Sequence, residues 1–135
     1  MSKSAFSLRV FSIYLFIMGS ALVAIPNVLL SLFGIPETHE VWIRVVGVPV
    51  LVIGYLAFMA SGIELRVFFR WSVHARLAVP IFIGAFVALG FAPPALLLFG
   101  AIDAAGAVWT AASLRADGLA QPGVQEGLPK SAAAP

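Results

Sequence analysis

One carboxylate interrupts a stretch apolar for the length of a bilayer: Asp103, within residues 95–114 (ALLLFGAIDAAGAVWTAASL). A charge in hydrocarbon is costly, so it is expected to face the interior of a helix bundle and find a partner there. Arg44 is the candidate, because it enters the membrane from the same side. At the rise of an α-helix, Asp103 lies roughly 12 Å deep and Arg44 roughly 5 Å. An arginine side chain can close that gap, although side chains lean toward their helix N-terminus and draw Arg44 outward. Three uses of the acid follow: a buried Arg44–Asp103 clasp between helices, a ligand- or proton-handling site, or a contact with a partner protein.

Nothing else has the spacing of a catalytic centre. The chain has no cysteine, which removes disulfides, thiolate metal sites and dithiol redox chemistry together. Its two histidines, His39 and His74, fall at opposite ends of the expected spans and cannot share a metal. Glu37, His39 and Glu40 could jointly hold a cation, but a solvated loop is the simpler reading. Tyr14 and Tyr55 lie inside spans, where each hydroxyl needs a partner such as a carbonyl or the other tyrosine. The expectation is a protein with no catalytic residues, no metal and no enzymatic activity.

The elements that must position Asp103 are membrane helices. The 135 residues are 61% hydrophobic and 10% charged, against roughly 45–50% and 25% in soluble domains. The mean hydropathy is +1.05. From Val10 to Pro36 there is no charged residue. Four spans are predicted, at residues 6–25, 41–60, about 71 or 77 to 91, and 95–114. A basic start before an apolar run also resembles a signal peptide, but cleavage would leave an odd number of spans. Between the first two spans, NVLLSLFG predicts a short interfacial helix with Asn27 as N-cap and Gly34 as its stop. Pro49 should kink the second span. Residues 64–76 (ELRVFFRWSVHAR) mix Arg66, Arg70 and Arg76 with Phe68, Phe69 and Trp71. That pattern suits a helix lying in the headgroups rather than a nucleic-acid surface. Beyond Arg115 the chain is rich in Pro, Gly and Ala, and a disordered tail is expected at 118–135 after a membrane domain at 1–117.

Orientation follows from the basic residues. Lys3, Arg9, Arg66, Arg70, Arg76, Arg115 and Lys130 fall on one side and Arg44 alone on the other. Such a bias is expected to put both termini in the cytoplasm. Trp42 then sits at the outer interface and Trp71 at the inner one. Gly100, Ala104, Ala107 and Ala111 form a small-residue stripe on the last span, and Gly47 and Gly54 another on the second. Both suit close helix packing. The fold expected is an all-α bundle of four transmembrane helices.

The motifs W-x-R-x-x-G (Trp42, Arg44, Gly47) and D-x-x-G-A-x-W-T (Asp103, Gly106, Ala107, Trp109, Thr110) resemble those of DoxX-like small four-helix bacterial membrane proteins. The resemblance covers residues 8–115. It implies an inner-membrane bundle and, for some relatives, quinone-coupled sulfur oxidation or an accessory role beside redox enzymes. The leading expectation is an accessory or scaffold subunit docking other membrane subunits or a second copy. The alternative is a binder or carrier of a small lipophilic molecule, a lipid or quinone. The third is a quinone-linked oxidoreductase component. Membrane lipids are the expected surroundings, and nucleic acid is not an expected partner.

Overall fold

A computed structural model describes residues 1–119. It is all-α among these residues: α1 (Lys3–Ala24), α2 (Pro26–Leu32), α3 (Trp42–Gly62), α4 (Arg66–Ala88), a 3₁₀ turn (Pro94–Leu96) and α5 (Leu97–Leu119). Four of these helices are long and apolar enough to cross a membrane, and the chain is a multi-pass bundle. Most of the expected tail lies outside the described residues. Of its residues only Gly118 and Leu119 are described, as the last of α5, and Asp117 just before them is buried.

The long helices pack in the order α3, α1, α5, α4, with α1 and α5 in the middle. Small residues let α1 and α3 touch almost backbone to backbone. A Cβ on Gly47 would stand 2.9 Å from the Gly19 carbonyl oxygen, and one on Gly54 3.1 Å from Leu15. Gly100 does the same for α5, where a Cβ would meet the Cα of Pro80 on α4 at 3.0 Å. Ala107, two turns on, is fully buried, while Ala104 and Ala111 are half-buried beside that line. In lipid, where apolar side chains gain nothing by leaving solvent, such close approach is what holds helices together.

Three helices end alike, with a left-handed residue followed by an amide bonded back to a carbonyl five residues earlier. Gly34 (φ 64°) precedes the Ile35 N–H donating to Leu30, and Gly90 (φ 76°) precedes Phe91 donating to Phe86. Glu64 occupies the same position after α3 at φ 54°, before Leu65 donating to Ala60. A non-glycine residue there is strained by about 1–2 kcal/mol. Its carboxylate offsets that cost, accepting hydrogen bonds from the Ser2 amide at 2.7 Å and the Ser2 hydroxyl.

Two expectations about these elements are corrected. From Arg66 on, the basic segment 64–76 is the first half of a continuous α4, because Phe69, Val73 and Arg76 recur at helical spacing and are all buried against the bundle. Asn27 does not cap α2: Pro26 occupies the first turn, and the Asn27 side chain accepts from the Thr38 amide at 3.0 Å across the following loop.

Candidate functional site

Asp103 pairs with Arg76, not Arg44. Its carboxylate lies 3.6 Å from Arg76 Nε, with side-chain exposures of 15% and 7%. Arg44 is out of reach because α3 packs on α1, and α1 separates it from α5. The Arg44 guanidinium instead donates to the Val23 and Ala24 carbonyls, the latter at 3.1 Å. These are among the last carbonyls of α1, which lack helical donors and sit at the negative end of the helix dipole.

The direction of α4 explains how Arg76 reaches inward. Side chains lean toward their helix N-terminus, so the guanidinium runs from near Asp103 toward the end of the bundle that holds Ser4. Nε, close to its own backbone, faces Asp103. Nη1, at the tip, donates to Thr110 Oγ1 at 3.5 Å. The guanidinium carbon lies 3.5 Å from the ring centroid of Phe11 on α1, a close cation–π contact. Gly106 leaves room for it, since a Cβ there would collide with Nη2. At 3.6 Å the Asp103 contact is an ion pair rather than a hydrogen bond, and Nε has no hydrogen-bond partner among the described residues.

The pair stands between two cavities. The outer one, about 260 Å³, has Asp103 on its wall among apolar side chains that include Met18, Leu22, Val50 and Phe99. α2 covers it through Leu29, Leu30 and Phe33, and is pinned by Phe33 on Phe99 with ring centroids 4.5 Å apart. The inner one, about 220 Å³, has Arg76 on its wall with Phe11, Gly106 and Trp109. Tyr14 lines both. Tyr55 faces outward and takes no part.

Below the inner cavity the helices are joined by small polar groups. Ser7 Oγ bonds to Thr110 Oγ1 at 3.1 Å and to the Ser4 carbonyl at 2.8 Å. Asp117 accepts from the amides of Lys3 and Ser4 at 3.2 and 2.9 Å, and from the Ser4 hydroxyl at 2.6 Å. Alongside, Arg9 Nε donates to Ser61 at 3.2 Å while its guanidinium covers Phe58.

Of the residues expected at the interfaces, Trp42 and Trp71 are 69% and 66% exposed, Arg70 is exposed and Arg66 half-buried. Arg76 is corrected from the interface to the bundle interior. Placing the third span's start near residue 71 or 77 put Arg76 at its edge; the spacing of Phe69, Val73 and Arg76 was the available sign that it shares their buried face. Glu37, His39 and Glu40 are exposed in the loop before α3, and His74 is exposed on α4. Set against protein-family models, curated proteins and solved structures, the chain matches none.

Proposed function

We propose that this membrane protein binds a small lipophilic molecule between its helices, with the apolar body in the outer cavity and a polar head at Asp103. The observation that carries the reading is a half-open apolar cavity with one carboxylate on its wall. Its 260 Å³ lies just below the usual range of ligand pockets, roughly 300–1,000 Å³, which are likewise apolar with few polar groups. An ionised carboxylate only accepts hydrogen bonds, so the head must donate: a hydroxyl, phenol or amine. Among redox lipids a quinol meets that condition at Asp103 and a quinone does not.

The accessory-subunit expectation rests on outward-facing apolar side chains, which any span presents to lipid. The cavity is the more specific feature, so it takes precedence. Bacterial inner-membrane residence with both termini cytoplasmic belongs to the same proposal; its orientation is supported by the distribution of basic residues, six to one once Arg76 is placed in the interior.

The test is titration of detergent-purified protein with a fluorescent ten-carbon alcohol. Saturable binding is expected. Val50→Phe, which fills the outer cavity, should abolish it, and Asp103→Asn should weaken it by tenfold or more. Binding unchanged in Val50→Phe would sink the assignment.

A further inference from the structure

The inner cavity has a chemistry of its own, which shares Asp103 with the reading above but not the outer cavity. Val10, Ile102 and Trp109 line it and are also exposed on the outer surface, so it opens sideways toward lipid between α1 and α5. Phe6 stands edge-on to Trp109 at that opening, with centroids 6.3 Å apart. Ser7, Tyr14 and Arg76 are the polar residues on its wall, and the Arg76 guanidinium is the charged one.

That guanidinium is under-partnered for its depth. It carries five N–H donors, yet its side chain is 7% exposed. Nε has no hydrogen-bond partner among the described residues, and the Thr110 contact is at the limit of length. Buried donors are normally satisfied, and exceptions call for an explanation. A planar fork of donors on a cavity wall matches a two-oxygen acceptor.

We propose that the inner cavity binds the carboxylate head of a single-chain amphiphile, taken up as the neutral acid, with its proton passing to Asp103. The O–H bond of the incoming acid breaks and an O–H bond forms on the Asp103 carboxylate. The amphiphile's carboxylate then replaces Asp103 as counter-ion of Arg76. One proton moves, no electron is transferred, and the net charge of the site stays zero. That neutrality matters in hydrocarbon, where an added uncompensated charge is expensive. It also selects a carboxylate over a phosphate monoester, whose second charge Asp103 cannot balance. Both acids lie against one guanidinium, so the transfer is local. The titratable groups at the site are Tyr14 from α1 and Arg76 from α4 on its walls, and Asp103 from α5, which lies against Arg76 and lines the outer cavity; α2 and α3 contribute no residue to its lining.

The experiment uses Trp109, which lines the cavity, as reporter in a Trp42→Phe/Trp71→Phe background of the full chain. Brominated decanoate is the quenching probe, with brominated decanol and decyl phosphate as the other arms. Decanoate should quench at concentrations at least tenfold below the other two. Above the probe's own pKa its affinity should fall tenfold per pH unit, since each bound anion brings one proton to Asp103. Asp103→Asn carries no charge to neutralise, so it should bind decanoate more tightly with no such slope. The doubly neutral Arg76→Gln/Asp103→Asn variant, which strands no charge, should lose the preference for decanoate. Val50→Phe should leave this quenching intact, which separates the site from the outer cavity. Equal quenching by alcohol or phosphate, an unchanged pH slope in Asp103→Asn, retained preference in the double variant, or loss in Val50→Phe would each overturn the proposal.

Discussion

Gly106 on α5 lies so close beneath Arg76 of α4 that any Cβ at that position would occupy the space of Nη2. The glycine is therefore part of the arginine's binding site rather than a general helix-packing residue. Gly106→Ala should push the guanidinium off Phe11 and cost about 1–3 kcal/mol, the usual range for an overpacked core. In an Arg76→Gln/Asp103→Asn background the shorter side chain should relieve the clash and the cost should fall close to zero. Detergent thermal unfolding of wild type and the three variants measures both. Equal costs in the two backgrounds would mean that Gly106 serves helix packing alone.

The ion pair makes a second prediction. Removing one member of a buried pair typically costs about 3–5 kcal/mol, while replacing both with apolar groups can be neutral. Values in a membrane protein fall lower, because a stranded charge can snorkel or draw in water. Asp103→Ala and Arg76→Ala should each destabilise, and the double variant should recover part of the loss. Arg44→Ala should add to Asp103→Ala without coupling, because Arg44 caps α1 on the far side of the bundle. A coupling energy between Arg44 and Asp103 as large as that between Arg76 and Asp103 would contradict the observed pairing.

Much of this was legible in the sequence, and the failures have physical causes. The spans could be read because 20-residue apolar runs have few other uses. Asp103 stood out because hydrocarbon penalises a lone carboxylate. Its partner could not be read from depth alone: Arg44 and Asp103 enter from one side, but which helices are neighbours depends on where glycines permit close approach. Gly19, Gly47 and Gly54 bind α3 to α1 and so remove Arg44 from the neighbourhood of α5. Arg76 was hidden among Arg66 and Arg70, whose charges suggested headgroups. The cavities have no sequence signature, since they arise from where four separate helices fail to touch.

Glu64 supplies a pH prediction. Hydrogen bonds from the Ser2 hydroxyl and then the Ser2 amide hold its carboxyl below the usual carboxylate range. A carboxylate with a lowered pKa in the folded state stabilises the fold above its unfolded value, about 4.3 for glutamate. That stabilisation is lost as pH falls through the lower folded value. Wild-type melting temperature should therefore decline more steeply below about pH 4.3 than that of Glu64→Gln, the two curves running parallel above it. Parallel curves throughout would mean that the Ser2 contacts add no stability. Glu64→Gly offers a second check, since it relieves the left-handed strain while discarding the same hydrogen bonds.

Asp117 makes the last prediction, because it joins the two ends of the described chain. Its carboxylate takes the Lys3 and Ser4 amides at the start of α1, which have no helical acceptor, together with the Ser4 hydroxyl. Both Ser4 and Asp117 are buried, at 0% and 9% exposure, so water cannot fully replace the lost acceptor. Asp117→Ala strands these donors, and each buried unsatisfied group costs about 1–3 kcal/mol. Asp117→Asn keeps one acceptor oxygen but loses the charge that favours a helix N-terminus, so its loss should be intermediate. Ser4→Ala removes one donor of the three and should cost least. Hydrogen exchange in detergent should show faster opening of the first turn of α1 in the same order. A variant series in which Asp117→Ala melts like wild type and leaves that turn protected would show that this end of α1 is held by Glu64 and the packing of Ala5 and Leu8 alone.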